Sequence, residues 1–181
     1  MKYSFGLLSS ILFLTLSPLA LAETQVYFSP NAGSQEAVVK EINKAEKSID
    51  VAMYAITSRE IAQALLKAKA RGLKVKVDLD KSQITERYSK SRYLIAKGVD
   101  VKFHLGPGLM HDKFAVLDGH VVITGSFNWT AAADKKNMEN LLIITDKGLA
   151  QKFAKEFKHL WAQSGQGEIN VKATSSSKDA E

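Results

Sequence analysis

Between residues 25 and 104 the spacing of apolar side chains switches repeatedly between a period of two and a period near 3.6, which leaves few folds open to the chain. LKVKVDL at 73–79 alternates strictly, as a strand with its lysines on the wetter face would. QVYFS at 25–29, IDVAMY at 49–54 and VDVKFH at 99–104 are strands by the same reasoning. Between them, Ala37, Val38, Glu41, Ile42 and Ala45 fall at helical spacing behind the turn SPNAG, with Ser34 as N-cap. Thr57 or Ser58 opens a second helix, whose stripe is Ile61, Ala64, Leu65 and Ala68 and whose stop is Gly72. A third covers 83–97 with Tyr88, Ile95 and Ala96 turned inward, ended by Gly98.

Past Gly106 the pattern changes. KFAVLD and HVVITG flank Asp118 and Gly119, a hairpin signal, and NLLIIT at 140–145 is apolar enough for an interior strand. A last helix runs from about Asp146 to Trp161 with Leu149, Phe153, Phe157 and Leu160 on one side. The expected architecture is therefore α/β, a layered fold with a central mixed β-sheet flanked by helices.

The flanks differ from this middle. Residues 1–22, MKYSFGLLSSILFLTLSPLALA, combine a basic start, an apolar run and a small-x-small ending at Ala20 and Ala22, the pattern of a secretory signal peptide cleaved before Glu23. An uncleaved anchor is the competing reading, because Phe5 to Leu21 lies near the lower limit for spanning a bilayer. With cleavage the protein is expected to be exported, to a bacterial periplasm or outside the cell, with no integral membrane association. The globular domain is expected over 23–163, and the polar stretch 164–181 is expected to be a flexible tail.

Among 181 residues there is no cysteine, which excludes disulfides, thiolate metal sites and a cysteine nucleophile. The formal charge is +6, one of which leaves with Lys2. A basic chain favours polyanionic partners, although an excess of this size is also an ordinary way to stay soluble.

Chemistry concentrates in HDKFAVLDGHVVITGSFN at 111–128. If 111–117 is strand, His111 and Lys113 share a face, which sets a nucleophile or base beside a fixed positive charge. That suits a phosphate. Asn128 donates a hydrogen bond without competing for the proton, and Ser126 supports it from the same turn, either on phosphate or as a turn hydroxyl. Lys113 and Asn128 would then bind nonbridging oxygens as phosphorus becomes five-coordinate. Glu139 is the candidate to hold the distal ring nitrogen of His111, a pairing that spacing alone does not give.

The spacing HxKx4Dx6GSxN resembles the signature of the phospholipase D superfamily, and the chain from about 25 to 160 is similar to its small bacterial endonuclease branch. FSP at 28–30, AMYAITSREIAQAL at 52–65, ARGLKVKV at 70–77, GPGLMH at 106–111 and MEN at 138–140 carry the likeness further. The resemblance implies two such motifs per active site, and this chain has one. A homodimer would supply the second across a two-fold axis. It implies further that His111 of one subunit forms a phosphohistidine while His111 of the other protonates the leaving oxygen and then activates water, with no cofactor or metal. Lys113, Ser126 and Asn128 would hold phosphate, Glu139 would orient His111, and Asp118 would anchor the motif.

Other histidines have plainer readings. His104, His111, Asp112, Asp118 and His120 lack a compact ligand pattern such as HExxH, so His104 and His120 are expected to pack or face solvent, as is His159. Trp129 either shapes the cleft or packs on the sheet. Lys135, Lys136 and Arg59 are candidates for a substrate track, whereas Lys69, Arg71, Lys74 and Lys76 read as a solvated face. The resemblance favours a sequence-nonspecific nuclease acting on DNA, and RNA as a second polymer, with mainly phosphate contacts. Phospholipid hydrolysis is the enzymatic alternative, and a noncatalytic nucleic-acid-binding module is the third reading.

Overall fold

The period-two segments become strands of one sheet in the computed structural model, which describes residues 22–167. The signal peptide expected at 1–22 lies almost wholly outside these residues, as does most of the stretch 164–181. Seven strands are present: β1 (Glu23–Ser29), β2 (Ser48–Met53), β3 (Lys74–Asp80), β4 (Asp100–His104), β5 (Lys113–Leu117), β6 (Val121–Gly125) and β7 (Glu139–Thr145). They lie in the order β1-β7-β6-β5-β2-β3-β4. β2, β3 and β4 are parallel to each other and every other neighbouring pair is antiparallel, so the sheet is mixed as expected.

Helices α1 (Ser34–Lys44) and α2 (Arg59–Ala70) cover one face, and α5 (Lys147–Gln163) covers the other. The strand alternation decides which side chain goes where. Val51, Val77, Phe103, Ala115 and Ile123 enter the core under α1 and α2, while Ala52, Phe114, Val116 and Val122 meet Ala150, Phe153 and Phe157 of α5. Burying a side chain such as Phe157 contributes about 2–3 kcal/mol. The Ser58 hydroxyl caps α2 by accepting from the Ile61 N–H, and Asp146 caps α5 in the same way through Leu149.

Several local expectations are corrected. Ser34 is the first helical residue and not the cap of α1; Gly33 precedes it in the left-handed region, without a side-chain cap bond. The helix expected over 83–97 is a 3-10 turn at Lys81–Ile84 followed by the short α3 (Ser91–Ala96). Tyr88 and Ala96 are exposed, and of the three inward candidates only Ile95 packs on the core. Side chains replace the missing helical bonds: the Ser89 hydroxyl accepts from the Ser91 N–H, the Ser91 hydroxyl donates to the Gln83 carbonyl, and Arg92 donates to the carbonyls of Ile84, Glu86 and Arg87. The packed chain also continues past Gln163. The Ser164 hydroxyl donates to buried Asp78, and Gly165 exchanges two backbone hydrogen bonds with Phe103 of β4.

Asp118 sits at the hairpin turn, and its carboxylate accepts the backbone N–H groups of Glu46, Lys47 and Ser48 at 2.8, 2.7 and 2.9 Å. Burial pushes this carboxyl up, but those three bonds outweigh it and hold the group below the ordinary carboxylate range. Its stabilising contribution is therefore present above the unfolded value of about 3.9 and is lost as pH falls through the lower folded value. Asp118→Ala is expected to cost about 2–4 kcal/mol at neutral pH, measured by urea denaturation. The penalty should shrink on acidification; an equal loss at low and neutral pH would contradict the charged role.

Candidate functional site

The topology brings four strand ends together. β2 and β6 finish where β5 and β7 begin, because Met53 pairs with Lys113, Phe114 with Thr124 and Gly125 with Leu141. Lys113 is the first residue of β5, Ser126 follows β6, Asn128 lies in the loop before α4 (Ala131–Lys135), and Glu139 starts β7. The motif residues thus collect at one end of the sheet, except Asp118, which lies at the far turn of the hairpin.

His111 does not stand on the strand as expected. It lies two residues before β5 and is exposed, while Lys113 is half-buried and donates to the His111 carbonyl. Three contacts with neighbouring elements hold this approach. The Met110 N–H donates to buried Asp80 at the end of β3, Lys81 donates to the Gly106 carbonyl, and the Tyr54 N–H donates to the Asp112 carbonyl, at 2.9, 2.8 and 2.9 Å. The Tyr54 ring lies 4.7 Å from the His111 ring between centroids, and the Lys113 ammonium lies 5.2 Å from the same ring centre. Neither Tyr54 nor Asp80 was singled out by the local sequence pattern. Their relevance comes from β2 and β3 ending beside β5, a long-range register.

Ser126 and Glu139 are joined directly: the Ser126 hydroxyl donates to the Glu139 carboxylate at 2.6 Å and accepts the Asn140 N–H at 3.0 Å. The other Glu139 oxygen accepts from the Asn137 amide at 3.2 Å. The expected bond from Glu139 to the His111 ring is not made; the carboxylate is taken by its neighbours on the β6–β7 side.

The Asn128 carboxamide oxygen is buried and makes no hydrogen bond among the described residues. A carboxamide carries an NH2 donor beside that oxygen, and the two ends occupy a site with little difference in shape. Burial pulls the Lys113 ammonium below its ordinary value, opposed by the Asp112 and Glu139 carboxylates.

Trp129 is fully buried and packs in the core, and its carbonyl accepts from Thr57 and Ser58. Of the substrate-track candidates, Lys135 forms an ion pair with Asp134 at 2.8 Å, while Lys136 and Arg59 are exposed. Arg71 is exposed, and its guanidinium also donates to the carbonyls of Ile42 and Ala45. His120 and His159 face solvent, and His104 is partly buried with its Nδ1 unbonded among the described residues. No group of three or more His, Asp or Glu side chains among the described residues is arranged to hold a metal ion.

Exposed apolar side chains border the Ser126–Glu139 side of the site. Phe28 and Met138 line an open depression together with Ser29, Ser126, Glu139 and Asn140. They are 64% and 91% exposed, and Leu109, two residues before His111, is 61% exposed.

Comparison with known proteins places the chain among relatives of one kind. A family profile described as "Cardiolipin synthase, PLD-like domain" matches residues 38–161. A protein named phospholipase D from Rickettsia conorii is 41% identical over 138 residues, which are 76% of this chain and 69% of that protein. A mitochondrial cardiolipin hydrolase from Xenopus tropicalis is 36% identical over 120 residues, 66% of this chain and 57% of the relative. Among solved structures, a phospholipase D family member, Nuc from Salmonella typhimurium, superposes with a TM-score of 0.77 at 33% identity, covering 80% of this chain and 97% of that one.

Proposed function

This chain belongs to the phospholipase D superfamily, whose hydrolysis of phosphodiester bonds is therefore its activity, and from that premise we propose a phosphohistidine mechanism acting on a phospholipid headgroup diester. In the first step a ring nitrogen of His111 attacks phosphorus and the P–O bond to the leaving group breaks. The leaving oxygen takes its proton from His111 of a second copy. In the second step that ring removes a proton from water, whose oxygen attacks phosphorus as the P–N bond breaks. Lys113 and Asn128 neutralise the developing charge. Ser126 ties Glu139 in place, so Glu139 acts on the site as part of that pair. The single motif per chain supports pairing of two copies.

The apolar border on the Ser126–Glu139 side carries the lipid reading. Phe28 and Met138 share a depression with Ser126 and Glu139, which suits a diester with a hydrophobic side, and the relatives' names point the same way. This reverses the order expected from sequence, where DNA came first. The nuclease reading keeps support from the +6 formal charge and from exposed Lys136 and Arg59. The N-terminal pattern of residues 1–22 supports export.

The test offers the dimeric protein mixed phosphatidylcholine and cardiolipin vesicles and, separately, circular double-stranded DNA, each with and without chelator. Phosphatidate-type products with intact DNA support the lipid reading. Nicked DNA with intact vesicles overturns it in favour of the nuclease. DNA retention without cleavage of either substrate would point to a binding module, and inhibition by chelator would remove the metal-free scheme.

A further inference from the structure

The geometry points to Tyr54 as a positioning residue that fixes His111 and Lys113 relative to each other through one aromatic ring. The inference rests on the proposed use of His111 as nucleophile. His111 and Asp112 precede β5 and lie outside its strand ladder, so the sheet alone does not orient them. Tyr54 follows β2 directly, and Val51, Ala52 and Met53 before it are fully buried, which makes its backbone a rigid support.

From that support Tyr54 reaches all three consecutive residues. Its N–H bonds the Asp112 carbonyl at 2.9 Å, its ring packs on the His111 ring at 4.7 Å with a 55° tilt, and the Lys113 ammonium lies 5.2 Å from the ring centre. An aromatic face carries a negative quadrupole that attracts a cation, and its flat surface restrains a neighbouring ring, so one side chain meets both needs. The Tyr54 side chain meets both His111 and Lys113 with its ring, which assigns the role to the ring and not to the phenol. Attack on phosphorus needs the ring nitrogen and the clamping ammonium aligned together, and a small misplacement costs on the order of 100-fold in rate.

The experiment compares wild type, Tyr54→Phe and Tyr54→Leu in hydrolysis of bis(4-nitrophenyl) phosphate, with one-dimensional proton spectra of the histidine rings. Tyr54→Leu is expected to lower kcat by about 10- to 100-fold while KM changes by less than about threefold, since alignment matters most in the transition state. Tyr54→Phe should stay within about threefold of wild type because it keeps the aromatic face. The His111 ring proton, identified by its absence in His111→Ala, should keep its ring-current shift in Tyr54→Phe and lose it in Tyr54→Leu.

Wild-type kcat in Tyr54→Leu overturns the inference, and so does a Tyr54→Phe variant as impaired as Tyr54→Leu, which would make the hydroxyl the working group. Should Tyr54→Leu fail to fold, Tyr54→Met repeats the test with an unbranched side chain. Turnover retained by His111→Ala would remove the phosphohistidine reading itself. An inactive His111→Ala beside an unimpaired Tyr54→Leu would remove only the role assigned to Tyr54.

Discussion

Replacing His111 with alanine is expected to lower kcat by about 10^4-fold or more under the proposed phosphohistidine mechanism, the scale on which removal of a nucleophile acts when nothing else takes over its bond to phosphorus. The fold should be almost untouched. His111 is exposed, its ring makes no hydrogen bond among the described residues, and its one aromatic neighbour, Tyr54, is anchored independently by β2. Thermal unfolding monitored beside activity separates the two effects: full loss of turnover with an unchanged Tm is the expected pair. Co-expression extends the test to subunit pairing. If both rings serve one phosphate, equal amounts of wild-type and His111→Ala chains leave about a quarter of the dimers active, whereas independent sites leave about half of the activity.

The second large effect is on stability. Gly125 ends β6 with φ at +141°, and a Cβ there would stand 2.3 Å from the Asn140 carbonyl oxygen and 2.7 Å from its side-chain oxygen. Neither atom can move cheaply, because Asn140 receives the N–H groups of Ser126 and Phe127. Gly125→Ala is expected to cost about 3–5 kcal/mol through clash and backbone strain together. For a domain of this size that lowers Tm by roughly 6–20 °C. It should also impair catalysis in whatever fraction folds, since Ser126 and Glu139 lie on either side of the displaced contact. A variant melting within two or three degrees of wild type would show that β6 and β7 can part without cost.

The sequence was most informative where one residue type has one physical use. Alternating Val and Lys in β3, the apolar stripe of α2 behind Ser58, and Asp118 with Gly119 at a hairpin all led to elements that formed. The stretch 83–97 misled because its serines and Arg92 satisfy backbone groups locally, an option that helical periodicity does not register. At the site, the motif identified which side chains gather, since its spacing follows one hairpin. It did not say which of them touch. Glu139 bonds Ser126 and not His111 because Ser126 stands directly across the β6–β7 junction, whereas His111 lies outside the ladder. Tyr54 and Asp80 were hidden for a related reason: their importance depends on β2 and β3 ending beside a strand that follows much later in the chain.

The bridge between Gly165 and Phe103 bears on how the molecule meets others of its kind. A sheet has two margins, and each is a template on which a foreign strand can build. On the β4 side the chain's own continuation occupies the Phe103 N–H and carbonyl, so that margin is partly sealed from within. At the opposite margin β1 carries exposed Val26 and Phe28. Shortening the protein at Gln163 would strip that cover from β4 and leave the Phe103 N–H and carbonyl to a foreign strand, inviting end-to-end growth from the guarded margin.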